Sequence, residues 1–139
     1  MRKYLLDTGV ASDFINRRNR VYELARELVR GGARIGITVP ILGELWGGVE
    51  LSRTRERNVA ILRQHVCEFV VWPYTDLAAE EFGRLYAELR RKGRPIQQID
   101  LQIAAVARTL PNCTLVTKDS DFQAIEGLKL IDWTQTATE

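Results

Sequence analysis

Short apolar runs alternate with helix-period segments along the whole chain, and that alternation leaves few folds open. Lys3 to Leu6 reads as a strand that stops at Asp7. Asp7 and Thr8 then open a helix, since Asp and Thr are both good N-caps. Val21, Leu24, Ala25, Leu28 and Val29 fall on one face of an amphipathic helix, closed by Gly31-Gly32. Ile35 to Val39 reads as a second strand, with Pro40 at the first position of the next helix. On that helix Leu42, Leu45, Trp46 and Val49 make one stripe. A further helix is expected over Arg55 to Val66, with Val59, Leu62 and Val66 inward. Phe69 to Trp72 is a buried-type strand halted by Pro73. Asp76 caps a long helix that turns Ala78, Phe82, Leu85 and Leu89 inward. After a loop at Gly93 to Pro95, Ile99, Ile103, Val106 and Ala107 define a helix that ends before Pro111. Thr114 to Thr117 is a strand, Asp121 to Ile125 a helical turn, and Leu128 to Ile131 a last strand. Strands separated by helices call for an α/β fold with a mostly parallel sheet covered on both faces.

No linker or repeat divides the chain, so residues 1–133 are expected to form a single domain followed by a tail at 134–139. At 45% hydrophobic and 27% charged, the chain can bury a core and is not of disordered composition. No apolar run approaches the ~18 residues of a membrane span. Asp7 interrupts the N-terminal run too early for a signal-peptide core. The expected location is therefore the cytoplasm, with no membrane partner. Cys67 and Cys113 lack metal-site or CxxC spacing and read as small buried apolar residues. His65 is the one histidine, which argues against a His-centred hydrolase or a His-rich metal site. It reads as a solvated helix residue. Sixteen of the 20 basic residues are Arg, whose planar fork suits phosphate and carboxylate. The runs Arg17 to Arg20, Arg53 to Arg57 and Arg90 to Arg94 fall at helix ends and loops and read mainly as solvated faces.

The acids are more informative. In an open α/β sheet, ligands bind beyond the carboxyl ends of the strands. Asp7 ends the first strand, while Asp119 and Asp121 lie just past the strand at Thr114 to Thr117. Those two strands are natural neighbours at a switch point. Glu44 follows the second strand by about one turn, and Gly47 and Gly48 on its helix leave room for close backbone approach. Asp100 shares a stripe with Ala104 and Ala107, so it points toward the core. It also sits at the positive end of its helix dipole, which favours its charged form. Carboxylates gathered in one pocket raise one another's pKa unless a cation compensates. With no His or Cys nearby, a hard ion such as Mg²⁺ or Mn²⁺ fits the set. Each acid also has a plainer reading: helix cap for Asp7 and Asp100, turn residues for Asp119 and Asp121, surface charge for Glu44.

Four motifs in order resemble the PIN-domain ribonucleases, most closely the VapC-type toxins of toxin–antitoxin pairs. They are Leu5 to Val10 with Ser12-Asp13, Ile41 to Leu45 with Gly47, Ile99 to Ala107, and Leu115 to Phe122 followed by Gly127-Leu128. The resemblance implies a PIN-like three-layer α/β/α sandwich around a central sheet of about five strands. It implies that Asp7, Glu44, Asp100 and Asp119 are the catalytic, metal-binding acids, with Asp121 a substitute for Asp119. Thr8 and Thr117 would orient carboxylates or a metal-bound water. The implied activity is Mg²⁺-dependent cleavage of RNA phosphodiester bonds in tRNA, rRNA or mRNA: an activated water attacks phosphorus in line and the 3′ oxygen leaves. A homodimer and a cognate antitoxin are implied partners, the antitoxin helix lying in an apolar groove for which Trp46 and Leu51 are candidates. Gly9 stands where the family often has Asn, and Asp119 where some members have Asn; neither change loses a carboxylate. The alternatives are an RNA-processing PIN nuclease outside a toxin–antitoxin pair and an inactive PIN-fold regulatory protein. A haloacid-dehalogenase-like phosphatase would want an Asp at position 9, and a P-loop NTPase would want GxxxxGK[ST]; both are lacking.

Overall fold

The computed structural model describes residues 1–134, so the tail expected at 134–139 lies outside the described residues except for Thr134. Five strands, β1 (Lys3–Leu6), β2 (Arg34–Thr38), β3 (Val70–Trp72), β4 (Cys113–Val116) and β5 (Leu130–Ile131), form one sheet in the order β3-β2-β1-β4-β5. Every pairing is parallel. Parallel neighbours need crossovers, and six helices supply them: α1 (Thr8–Ile15), α2 (Val21–Arg30), α3 (Val39–Leu51), α4 (Arg55–Val66), α5 (Asp76–Arg91) and α6 (Gln98–Thr109). The result is the expected three-layer α/β/α sandwich. Among the described residues no helix is long and apolar enough to cross a membrane.

The core is the central sheet and what covers it. Leu5, Leu6, Ile37 and Leu115 are fully buried on the three middle strands, and Ile41, Leu85, Leu89 and Ile103 close over them from α3, α5 and α6. Gly36 on β2 has no substitute: a Cβ there would lie 2.2 Å from the Val70 carbonyl oxygen and 2.7 Å from the Trp72 ring.

Side-chain caps move several boundaries by a residue. The Thr38 hydroxyl accepts from the Ile41 N–H at 3.2 Å, so β2 stops at Thr38 and Val39 already belongs to α3. Thr75, not Asp76, caps α5 by accepting from the Ala78 N–H. After β4 the chain makes a 3-10 turn at Ser120–Ala124, and Gly127, with φ of +75°, turns it into a shortened β5.

Three expectations fail. His65 is buried, not solvated: it sits one turn past buried Leu62, edge-on to Phe14, with Nδ1 2.7 Å from Glu68 Oε1. Cys67 is exposed, and Cys113 alone is buried, where burial pushes its thiol up to about 11. Gly47 and Gly48 bring no backbone close, because a Cβ on either would meet nothing within 4 Å.

Candidate active site

The order of the sheet creates the site. The chain runs outward from β1 through β2 to β3, then returns to β4 on the other side of β1. A crevice opens where the direction reverses, beyond the carboxyl ends of β1 and β4. Register fixes what faces it. Leu6 pairs with Val116, and the Asp7 N–H donates to the Val116 carbonyl at 3.1 Å. Asp7 and Thr117 therefore leave the sheet side by side, and the Thr117 hydroxyl donates to Asp7 Oδ2.

Asp7 serves two purposes. Its Oδ1 accepts from the Val10 N–H at 2.9 Å and caps α1, so the helix-cap reading holds alongside the cleft position. Burial raises its carboxyl, opposed by the Thr117 and Val10 hydrogen bonds and by the charge of Lys118. Thr8, inside the first turn of α1, donates its hydroxyl to Glu44 Oε1 on α3. Thr117 also accepts from the Asp119 N–H at 3.0 Å, and Asp119 Oδ1 accepts from the Asp121 N–H at 2.9 Å. The loop after β4 is thereby folded back on the strand that carries it.

Asp7, Thr8, Glu44, Asp100 and Asp119 line one cleft of about 440 Å³ with Gln97, Ile99 and Lys118. Asp121 does not line it; its side of the 3-10 turn faces solvent. Ala104 and Ala107, on the Asp100 stripe, are buried as expected. The helix dipole nevertheless loses at Asp100. Burial pushes its carboxyl up to about 6, and the charges of Asp119, Asp7, Glu44 and Asp121 add to the rise in that order. Four other acids are thus within electrostatic reach of Asp100.

Among the described residues no three His, Cys, Asp or Glu side chains are set to hold a metal ion as they stand. Glu44 is turned toward Thr8, and Asp7 is occupied by its cap and by Thr117. The donor set still fits a hard cation: four carboxylates line the cleft, with no thiol or imidazole, and Lys118 offsets their mutual repulsion only in part.

Two features escaped the sequence reading. Lys118 lines the cleft, and its Nζ donates at 2.7 Å to Asp13, a buried acid on α1. An apolar groove of about 380 Å³ adjoins the cleft, sharing Thr8 and Glu44 with it. Its apolar side chains are Ile15, Leu45, Val49, Ile61 and Leu62 from α1, α3 and α4, with Ser12, Asn16 and Asn58 also in the lining. Trp46 and Leu51 are not among them: Trp46 packs under the Arg63 guanidinium, and Leu51 stands in solvent at the end of α3.

The chain matches the family described as PIN domain over residues 4–128. The tRNA(fMet)-specific endonuclease VapC of Shigella flexneri is 31% identical over 133 residues, covering 96% of this chain and 99% of that protein. Ribonuclease VapC2 of Rickettsia felis is 32% identical over 131 residues, covering 94% and 97%. Among solved structures, VapBC2 of Rickettsia felis bound to a promoter DNA fragment superimposes with a TM-score of 0.86 at 31% identity, over 94% of this chain and 98% of that one. DNA-bound VapBC of Salmonella typhimurium gives 0.85 at 32% identity, over 96% and 99%.

Proposed function

The chain belongs to the PIN-domain family and is homologous to the VapC ribonucleases, and on that premise we propose that it is a Mg²⁺-dependent endoribonuclease toxin. The observation that carries the reading is the meeting of Asp7, Glu44, Asp100 and Asp119 in one sheet-edge cleft, where burial and the neighbouring acids raise the Asp100 carboxyl. A fold that gathers this much like charge is relieved by a divalent cation. Asp7, Glu44, Asp100 and Asp119 would hold Mg²⁺, or Mn²⁺ in its place, with Asp121 in reserve. When bound, the ion supplies Lewis-acid polarisation of a phosphoryl oxygen and an acidified water.

The chain's own groups do the rest. Thr117 and the Val10 N–H fix the rotamer of Asp7, and the Thr8 hydroxyl holds one oxygen of Glu44. The first turn of α6 carries Asp100, and the folded-back loop after β4 carries Asp119. Surface arginines would hold flanking phosphates of a tRNA, rRNA or mRNA, making cleavage salt-dependent.

The apolar groove beside the cleft suits one face of an amphipathic helix, the mode in which a cognate antitoxin would bind. That two of the matched structures are VapBC complexes supports this partner. The active species in this reading is a cytoplasmic homodimer. Purified protein is expected to cleave RNA with Mg²⁺ present, to stop in EDTA, and to be inactive as Asp7→Asn or Asp100→Asn. Cleavage that survives both chelation and substitution would refute the assignment.

A further inference from the structure

We propose that Lys118 binds a non-bridging oxygen of the RNA phosphate presented to the acidic cleft, and that Asp13 is the residue that positions it there. This rests on the RNA-cleaving reading of the same cleft. Lys118 is the one cation among the described residues that line it. Without Lys118, the only charged side chains lining the cleft among the described residues would be carboxylates.

The ammonium is held, not free. Its Nζ donates to Asp13 Oδ2 at 2.7 Å, and the Asp13 side chain is only 6% exposed, against 41% for Lys118. A buried carboxylate needs a partner, so the pair is an obligatory one and unlike a surface ion pair. An ammonium carries three N–H donors. Asp13 takes one, and the exposed end keeps others for a ligand.

Asp13 is itself fixed from a second direction. Its Oδ2 also accepts from Asn19 Nδ2 at 3.0 Å, and its carbonyl accepts from the Arg18 N–H at 2.9 Å. The loop that makes these bonds is strained: Arg17, Asn19 and Arg20 have φ of 56°, 56° and 60°. Non-glycine residues hold the left-handed region only where their surroundings over-determine it. Here the Asp13 contacts and the Arg17 guanidinium stacked 3.4 Å from the Tyr22 ring do so. The same carboxylate that aims Lys118 thus docks this basic loop. Arg18 and Arg20 are exposed beside it and form no ion pair among the described residues.

The test is single-turnover cleavage of unfractionated tRNA in Mg²⁺ across a series of KCl concentrations, with wild type, Lys118→Met, Lys118→Arg and Asp13→Asn. Losing one phosphate contact should flatten the log–log salt dependence by about 0.7 to 0.9. Lys118→Met is expected to do this and to lower kcat/KM about 100-fold, an effect of the size of one lost charge-stabilising donor. Lys118→Arg should restore the slope. Asp13→Asn should lower kcat/KM by itself but add little in the Lys118→Met background, because the two act as a unit. A merely structural lock would lower melting temperature and leave the slope and kcat/KM of the folded protein unchanged; that result overturns the proposal. Should Lys118→Met not fold, the double variant Lys118→Gln with Asp13→Asn removes both charges and faces the same criterion. Wild type that fails to cut tRNA or any other RNA refutes the ribonuclease reading and this inference together. Wild-type cleavage with an unaltered slope in the variants refutes this inference alone.

Discussion

Replacing Asp100 by Asn should stabilise the metal-free protein. The Asp100 carboxyl moves from an ordinary value of 3.8 to about 6 in the folded state, burial being the largest cause and the neighbouring acids the rest. The protonated form is the one that folding favours. The group's contribution is therefore fully present below pH 3.8 and is lost as pH rises through 6, above which the ionised carboxylate opposes folding. Two pKa steps correspond to about 3 kcal/mol. Asp100 is only partly buried, and solvent screening reduces this to about 1–2 kcal/mol. Asn has the same shape and cannot ionise. In EDTA at pH 7.5, Asp100→Asn should therefore melt roughly 3–6 °C above wild type, by the size scaling for a domain of this length. Near pH 3.5 the two should coincide. Calorimetric scans at both pH values read this directly. Added Mg²⁺ should then raise the wild-type midpoint and leave the variant nearly unmoved, closing or reversing the gap. A variant no more stable than wild type at pH 7.5, or equally shifted at both pH values, would refute the electrostatic argument.

Three other substitutions probe the frame of the site. Gly36→Ala pushes a Cβ into the Val70 carbonyl and should cost about 3 kcal/mol, seen as a lower urea midpoint; an unchanged midpoint would refute the close approach. Thr117→Val keeps shape but removes the hydroxyl that joins Asp7 to the Asp119 N–H; stability should fall by about 1–2 kcal/mol and half-maximal cleavage should need more Mg²⁺, checked by metal titration. Asp7→Asn can still cap α1 and should fold like wild type while losing cleavage, whereas Asp7→Ala should lose about 1 kcal/mol more, by denaturant melts of both.

Topology was the legible part, because it depends on patterns a few residues long. The strand–helix alternation fixes parallel pairing, and with β1 beside β4 the position of Asp7 relative to Asp119 follows from register. The convergence of Glu44 and Asp100 on the same edge was likewise readable from their distance to a strand end and from the alanine stripe of α6. What stayed hidden depends on which side chains meet across the fold. Lys118 and Asp13 are 105 positions apart, and no periodicity links them. Thr8 could equally have been a cap; that its hydroxyl goes to Glu44 follows from how α1 and α3 cross. The burial of His65 follows from a spacing that is legible in the sequence. His65 lies three residues after Leu62, on the same inward face of α4, and that spacing outranks the polarity of the ring.

The cleft also explains how a nearly neutral chain can suit a polyanion. Twenty basic residues face 18 acidic ones, a balance that by itself predicts no attraction to RNA. Four of those acids line the cleft with Lys118. Setting these five aside leaves nineteen basic residues against fourteen acidic ones on the rest of the chain. One bound divalent cation would cancel half the charge of the four cleft acids, and Lys118 lies beside them. The arginines are spread over helix ends and loops, where their fields sum outward within a Debye length of about 8–10 Å. Metal binding would then do two things at once: it would reduce the repulsion that adds to the rise of Asp100, and it would raise the net charge of the chain from +2 to +4. Affinity of the wild-type protein for an RNA with non-hydrolysable linkages should therefore rise with Mg²⁺ in filter binding, and Asp100→Asn should show no such rise. That coupling ties the charge arithmetic of the chain to the chemistry of its cleft.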